Sequence, residues 1–240
     1  DIEIINLELG LADLSQIDKR RERLKKQIRV NEEAKVEDLV LEKIAVALEE
    51  GKAARSVSLN DDEKELIRPL GLLTNKPIIY ATNLSEDDLF SGNIYSEKVK
   101  EYSIAEQAES IRISAQVEAE LVDLGEQEKR DYLNGLGVNE GGLESLIRAT
   151  YRLLGLSTYF TSGEKETRAW TISIGMKAPQ AAGVIHTDFE KGFIRAQTIS
   201  FDKLLEAGSL VEAKNKGWLR SEGKEYIVNE GDVMEFLFNV

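Results

Sequence analysis

The 240-residue sequence contains no cysteine, three prolines and one histidine. Without cysteine the chain forms no disulfide and offers no thiolate to a metal, and this composition is typical of proteins in the reducing cytoplasm. A lone histidine is also a poor zinc site, because such sites combine several histidine or cysteine ligands. We therefore predict a cytoplasmic protein with no metal ligands among the residues of this chain.

Long apolar runs are also missing from the sequence. No run approaches the roughly 18 to 20 apolar residues that a membrane-spanning helix requires, so we predict no membrane partner. Hydrophobic residues make up 42% and charged residues 31% of the chain, a balance that is typical of a packed globular protein. The formal net charge of −13 argues against nonspecific coating of nucleic acid, and we predict no sequence-specific DNA binding.

The negative charge is distributed unevenly along the chain. Residues 1–157 carry a net charge of −11 and residues 158–240 carry −2, and the change falls where helical spacing gives way to strand alternation. Positive side chains in the C-terminal part could contact RNA phosphates if they shared a face, or could simply be scattered over the surface. They are Lys191, Arg195, Lys214, Lys216, Arg220 and Lys224.

Residues 1–76 are predicted to be helical. Apolar residues recur at three- and four-residue spacing in two segments, which is the pattern of a coiled-coil seam. The stripes are Leu14, Ile17, Arg21, Leu24 and Ile28, with arginine as the exception, and Val36, Val40, Ile44, Ala47 and Leu48. The break at 30–33 predicts an antiparallel helical hairpin. Asn60 followed by Glu63 is typical of a capping box that starts another helix, and Pro69 is expected to kink or end it.

Residues 77–157 are predicted to alternate strands and helices. The apolar run at 78–81 lies between Pro77 and the polar pair Thr82-Asn83 and predicts a buried strand, and the segment 111–114 predicts a second one. Helices are predicted over 96–109, 116–134 and 142–154. Alternation of strand and helix is the pattern of an α/β domain.

Residues 158–240 are predicted to form a small α+β domain. Alternation predicts strands at 170–174, 193–199 and 233–238, with helical segments near 178–185 and 202–215. Trp170 and Trp218 are interpreted as packing residues rather than as stacking platforms for bases. His186 is interpreted as a turn or packing residue rather than as an acid–base group.

Two loops follow the predicted strands of the α/β part, at 82–86 and 114–118. Ligands of α/β domains bind at the carboxyl ends of strands, in such loops. The Asn83 amide can donate and accept along a purine edge, the Glu86 carboxylate can accept from an exocyclic amine, and the Ser114–Ala115 backbone can approach the base. On spacing alone, however, the pattern favours Asn83 as a helix N-cap or a turn residue over a base-binding residue.

The order of these loops on their strands resembles the Obg-like ATPase family of the YchF type, a translation-factor-related branch of the P-loop proteins. In that family the base-specificity motif is N-x-x-E in place of the N-K-x-D of GTPases, which implies a preference for ATP. The segment Asn83–Glu86 matches this motif, and Ser114–Gln116 matches the S-A-x loop that contacts the base. The adenine-binding residues that the resemblance implies are Asn83, Leu84, Glu86, Ser114, Ala115 and Gln116.

The resemblance extends over the whole chain. The opening stretch DIEIINLELGLADLSQIDKRRERL is similar to the start of the family's inserted helical domain, and the stretches from KETRAWTI to NEGDVMEFLFNV are similar to its TGS domain, a β-grasp module. The resemblance implies a helical coiled-coil hairpin domain over 1–76 and the C-terminal part of a P-loop-type nucleotide-binding α/β domain over 77–157. A C-terminal α+β TGS domain over 158–240 would complete the chain.

Motifs for phosphoryl transfer are absent from the sequence. Binding of phosphate and Mg²⁺ on this fold requires G-x-x-x-x-G-K-[ST], and neither Gly51-Lys52 nor Gly223-Lys224 fits it. A D-x-x-G loop is also absent. The family carries both motifs, and a catalytic histidine region, in an N-terminal segment that would precede Asp1. We therefore expect a fragment with the base-binding half of an ATP site, with no catalytic residue and with the Mg²⁺ ligands in the preceding segment.

Two functions remain open at this point. In the first, the chain is part of a ribosome-associated ATPase that binds and hydrolyses ATP, with GTP less favoured, but the chain alone does not hydrolyse it. In the second, the chain is a binding module whose helical and TGS domains dock on the ribosome or on a protein without nucleotide.

Overall fold

The structure, a computed structural model, describes residues 1–163 and 166–239. Lys165 and Val240, at the two ends of the region compared with TGS domains above, lie outside the described residues. The chain divides into two compact units. The first unit comprises Asp1–Tyr80 and Lys98–Ser110, and the second comprises Ala81–Glu97 and the described residues from Ile111 onwards.

Helices and strands occur throughout the described chain. The helices are α1 (Ile2–Leu24), α2 (Glu32–Glu49), α3 (Asp61–Ile67), α4 (Ile94–Ala105), α5 (Ala115–Leu121), α6 (Glu126–Gly135), α7 (Gly142–Leu153), α8 (Ala178–Ile185), α9 (Thr187–Lys191), α10 (Phe201–Ala207) and α11 (Leu210–Asn215). The strands are β1 (Ile79–Asn83), β2 (Glu109–Ile113), β3 (Leu156–Ser162), β4 (Thr167–Ser173), β5 (Phe193–Ser200), β6 (Arg220–Glu222) and β7 (Asp232–Phe238). In the part of the chain that is described, no helix is both long and apolar enough to cross a membrane.

Helices α1 and α2 of the first unit run in opposite directions. Gly10 lies beside Leu48, whereas Arg20 donates to Glu37 at 2.6 Å. The predicted antiparallel arrangement of two helices is therefore confirmed. Val36 was placed on the apolar stripe of α2, and this prediction is wrong because its side chain is exposed. The buried core of this unit comprises Ile17, Leu24, Ala34, Val40, Leu41, Ile44, Ala45, Leu48, Ala54, Ile67 and Leu72.

A buried carboxylate ties α1 to the segment that precedes β1. Asp13 is 1% exposed. Its two oxygens accept hydrogen bonds from the backbone N–H groups of Leu73 and Thr74, each at 2.7 Å, and from the Thr74 hydroxyl at 2.7 Å. The Thr74 hydroxyl oxygen in turn accepts from the N–H of Ala54 at 3.0 Å. Asp13 therefore satisfies donors that would otherwise be costly to bury.

The predicted capping box at the start of α3 is confirmed. The Asn60 side chain accepts from the backbone N–H of Glu63, and the Glu63 carboxylate accepts from the backbone N–H of Asn60, both at 2.9 Å. Helix α3 ends at Ile67 and is followed by a 3₁₀ turn at Arg68–Leu70 that contains Pro69. The expected end of the helix at this proline is also confirmed, since proline cannot supply the next backbone N–H.

Strands β1 and β2 form a sheet of their own, and the order of strand and helix around them is as predicted. The expectation of a buried first strand is wrong, because β1 is only half-buried and Ala81 and Asn83 are exposed. The single helix predicted over 116–134 is instead two helices, α5 and α6. The Glu128 carboxylate accepts from the N–H of Gly125 at 2.9 Å and fixes the start of α6.

A five-stranded mixed sheet organises the C-terminal part of the second unit. The strand order is β4-β3-β7-β5-β6, in which β3 is parallel to β7 and the other neighbours are antiparallel. One face packs on α8 through a cluster that includes Tyr159, Ala181 and Phe193. A second cluster, which includes Ile199, Ala213 and Val233, joins the sheet to α11.

The strands predicted in this part match β4, β5 and β7, but β3 and β6 were not predicted. The helix predicted over 202–215 is interrupted and forms α10 and α11. Gly208 adopts a φ of +76°, which is left-handed and ends α10, and Ser209 then caps α11 by accepting from the N–H of Glu212 at 3.1 Å. This left-handed residue is the physical reason for the break, because a helix cannot continue through it.

Candidate nucleotide-base site

The ends of β1 and β2 lie side by side. The backbone N–H of Leu84 donates to the carbonyl of Ile113 at 2.8 Å, and the Thr82 hydroxyl donates to the carbonyl of Ile111 at 2.8 Å. These bonds place the residues after β1 next to the residues after β2, as binding at the carboxyl ends of neighbouring strands requires.

Asn83 joins the two loops directly. It is the last residue of β1, its side chain is exposed, and its Oδ1 accepts from the backbone N–H of Ala115 at 2.9 Å. The interpretation of Asn83 as a helix N-cap is wrong, because the next helix described after β1 begins only at Ile94. With Oδ1 engaged by the protein, the Nδ2 group of Asn83 is the part of the amide that can donate to a ligand.

Ser114 has a structural role that the motif match does not show. Its side chain is 1% exposed and caps α5, with Oγ accepting from the N–H of Val117 at 3.5 Å. The hydroxyl therefore faces the helix end, and Ser114 can take part in a base site only through its backbone. Ala115 and Gln116 are exposed at the start of α5, and Leu84 is half-buried at the end of β1.

Glu86 is held by a residue that the sequence analysis missed. The Tyr132 hydroxyl on α6 lies 3.2 Å from Oε1 of Glu86 and 2.6 Å from Oε2 of Glu120. These hydrogen bonds raise the pKa of the Tyr132 phenol, with that to Glu120 contributing most. Donation from Tyr132, and then from Gln116, lowers the pKa of the Glu120 carboxyl. No signal in the sequence links position 86 to position 132.

A glycine brings α7 against β2. A Cβ atom at Gly142 would lie 2.8 Å from the Ile113 Cα, a distance that real Cβ atoms do not tolerate, so only glycine fits without movement of the strand. The N–H of Gly142 donates to Oε1 of Glu118 at 2.6 Å. The start of α7 and the second loop are therefore fixed to each other beside the site.

The remaining candidates have packing or surface roles. His186 is exposed, and its Nδ1 accepts from the N–H of Asp188 at 3.2 Å, so it caps the start of α9 and has a structural role. Trp170 donates from its ring nitrogen to Thr161 at 2.9 Å, and Trp218 packs in the cluster against α11. The six positive side chains singled out above in the C-terminal part are all exposed.

Known proteins show similarity to this chain along its whole length. Residues 156–239 match the family model YchF-GTPase_C, described as "Protein of unknown function (DUF933)". The chain is 49% identical to the Ribosome-binding ATPase YchF of Bacillus subtilis over 243 residues, and 40% identical to Obg-like ATPase 1 of Caenorhabditis elegans over 244. Both alignments cover all of this chain, and they cover 66% and 62% of the relatives. The chain therefore spans less than two thirds of their length.

The same similarity is present in solved structures. The structure of the YchF GTPase of Schizosaccharomyces pombe matches 99% of this chain with a TM-score of 0.85 and 34% identity, and the match covers 65% of that protein. A GTP-binding protein of Pyrococcus horikoshii matches with a TM-score of 0.57 at 18% identity, which supports the fold alone. The mixed α/β fold of this chain is therefore that of the S. pombe protein.

Proposed function

Since this chain belongs to the YchF family, we propose that it carries the base-binding half of an adenine-nucleotide site. Asn83 donates to the purine edge, Glu86 accepts from the exocyclic amine, and Leu84 packs on the face of the base. The backbone of Ser114–Gln116 closes the pocket. The observation that carries this proposal is the hydrogen bond from Ala115 to Asn83, because it brings the two loops into one site.

The proposal extends to the nucleotide and its metal. The names of the relatives differ, since the bacterial proteins are called ATPases and the S. pombe structure a GTPase. A carboxylate at Glu86 supports ATP, because adenine presents an amine donor where guanine presents a carbonyl. Within residues 1–163 and 166–239, no three acidic or histidine side chains are grouped to hold a metal ion. In P-loop proteins the hydroxyl of the G-x-x-x-x-G-K-[ST] loop binds Mg²⁺, and this sequence has no such loop, so we place the Mg²⁺ ligands in the part of the relatives' length that this chain does not span.

The two remaining parts of the chain are proposed to serve ribosome association. We propose coiled-coil packing of α1 with α2, supported by their antiparallel contact, and a TGS domain of β-grasp type over residues 158–240. The latter is supported by the sheet order, in which the first and last strands, β3 and β7, are parallel and adjacent. Relatives named for ribosome binding support ribosome association of the complete protein in the cytoplasm.

One experiment tests these proposals together. The 240-residue chain, and the chain extended to the relatives' full length (the full-length form), are each sedimented with ribosomes with and without ATP, and the supernatants are assayed for phosphate. We expect the full-length form to pellet with ribosomes and release phosphate, and the 240-residue chain to release none above a protein-free blank. Its sequence contains no G-x-x-x-x-G-K-[ST] loop to hold the phosphates.

The outcomes separate the two functions. Phosphate release by the 240-residue chain, purified free of longer protein, would contradict the half-site proposal. Pelleting of both forms irrespective of ATP would instead favour the nucleotide-independent binding module. If neither form pelleted under any condition, ribosome association would be wrong for both functions.

A further inference from the structure

One phenol hydroxyl lies between two carboxylates in the candidate site. Tyr132 is 2.6 Å from Glu120 and 3.2 Å from Glu86. A phenol has one proton, so it donates fully to one acceptor at a time. The shorter contact makes Glu120 the stronger acceptor, and Glu120 also accepts from the Gln116 side chain at 3.3 Å. The hydroxyl therefore donates to Glu86 for only part of the time, and the strength of its hydrogen bond to Glu120 determines how often it does so.

The position of this hydroxyl is fixed by packing. The Tyr132 ring lies against an apolar cluster formed by the loop after β1 and by α5 and α6. The buried members of this cluster are Leu89, Val117, Leu121 and Leu133. Val117 and Leu121 lie on the same helix as Glu120. The Tyr132 ring therefore packs against α5, which carries Glu120, and its hydroxyl also contacts Glu86 in the loop after β1.

We infer that Tyr132 is a positioning residue for Glu86 and that it sets the preference of the site for adenine over guanine. This inference rests on the proposed function of Glu86. A carboxylate held at one place can accept from the exocyclic amine of adenine, whereas the carbonyl of guanine at that position offers it no proton. A released carboxylate can instead turn towards the N1–H and the amino group of guanine. Tyr132 therefore favours ATP by limiting where the Glu86 carboxylate can go.

Tyr132→Phe in the full-length form tests the inference, because it removes the hydroxyl and keeps the ring in its apolar cluster. We expect ATP to bind about two- to threefold more weakly, because Glu86 accepts the weaker part of one shared hydrogen bond and its loss lies at the low end of the effect of a net hydrogen bond. GTP binding should be unchanged or tighter, so the ratio of the two dissociation constants moves towards one. Equilibrium titration with each nucleotide measures this ratio.

Glu120→Gln should strengthen the hydrogen bond from Tyr132 to Glu86, whereas Tyr132→Phe removes it. With the competing carboxylate gone, Tyr132 donates more fully to Glu86, and we expect the preference for ATP to be retained or increased. The double variant should behave like Tyr132→Phe alone, because Glu120 acts only through the hydroxyl. Tyr151→Phe is the matched control. Its hydroxyl is 3.1 Å from Thr171, so its removal should leave the ratio unchanged.

The outcomes distinguish this inference from the proposed function. If Glu86→Ala lowers the preference for ATP but Tyr132→Phe does not, the positioning role is wrong and the base site stands. An equal loss of preference in Glu120→Gln and Tyr132→Phe also contradicts it, because Glu120→Gln should retain or increase the preference for ATP. If Glu86→Ala and Asn83→Ala both leave ATP and GTP affinities unchanged, the proposed function fails and the inference fails with it.

Discussion

Asn83→Ala in the full-length form is expected to weaken ATP binding about tenfold to a hundredfold. The residue serves the site in two ways, and alanine removes both. Its Oδ1 accepts from the N–H of Ala115 and so holds the second loop against the first. In the proposed site, its Nδ2 donates to the purine edge. The loss therefore combines a missing contact to the base with a looser loop.

Titration calorimetry with ATP and with GTP measures this effect. Asn215→Ala is the matched control, because Asn215 is an exposed asparagine at the end of α11, where its side chain contacts Glu212 at 3.4 Å. We expect this control to bind both nucleotides as the unchanged protein does. Equal affinities for Asn83→Ala and Asn215→Ala would remove Asn83 from the base site.

The second large effect concerns stability in the first unit. Asp13→Ala is expected to lower the free energy of unfolding by about 3 to 5 kcal/mol. The carboxylate accepts three hydrogen bonds in a buried setting, and its removal leaves backbone donors of Leu73 and Thr74 without an acceptor. Asp13→Asn should have a smaller effect. The amide oxygen can still accept a hydrogen bond, but the amide NH₂ group replaces the second oxygen and faces a backbone N–H of Leu73 or Thr74.

Urea unfolding followed by circular dichroism measures the loss in the 240-residue chain. Asp18→Ala is the control, since Asp18 is an exposed aspartate on the same helix. A surface change of this kind is expected to alter stability by less than about 0.5 kcal/mol. If Asp13→Ala shifted the unfolding midpoint no more than Asp18→Ala, the proposed role of the carboxylate in tying α1 to the segment before β1 would be wrong.

Local signals in the sequence predicted much of the secondary structure. The capping box at Asn60 and Glu63 involves residues three positions apart, so its two hydrogen bonds are encoded in one short segment. Strands β4, β5 and β7 were predicted because their side chains alternate. Strand β6 has three residues, which is too short for alternation to register, and β3 follows directly on a strongly helical segment. The break at Gly208 was missed although it has a local signal, because a glycine that ends one helix is followed by Ser209 and Glu212, the pattern of the next helix start.

Sequence motifs predict only part of the candidate site. The motif match found the segments Asn83–Glu86 and Ser114–Gln116, and the hydrogen bond from the Ala115 N–H to the Asn83 side chain joins them. The motif match did not find Tyr132, which contacts Glu86 although the two residues are 46 positions apart in the sequence. The motif match also did not show that the Ser114 hydroxyl caps α5. Both features come from the packing of α5 and α6 around one apolar cluster, and pairwise packing of this kind has no periodic signature in a single sequence.

Photo-crosslinking with 8-azido-ATP tests most directly whether these two loops form the adenine site. The full-length form is labelled, digested and mapped by mass spectrometry, with excess ATP as competitor. The account predicts that the label lies within residues 82–87 or 114–118, disappears with excess ATP, and is strongly reduced in Asn83→Ala. Label that ATP displaces but that lies only in other segments would contradict the assignment of the adenine site to this part of the chain.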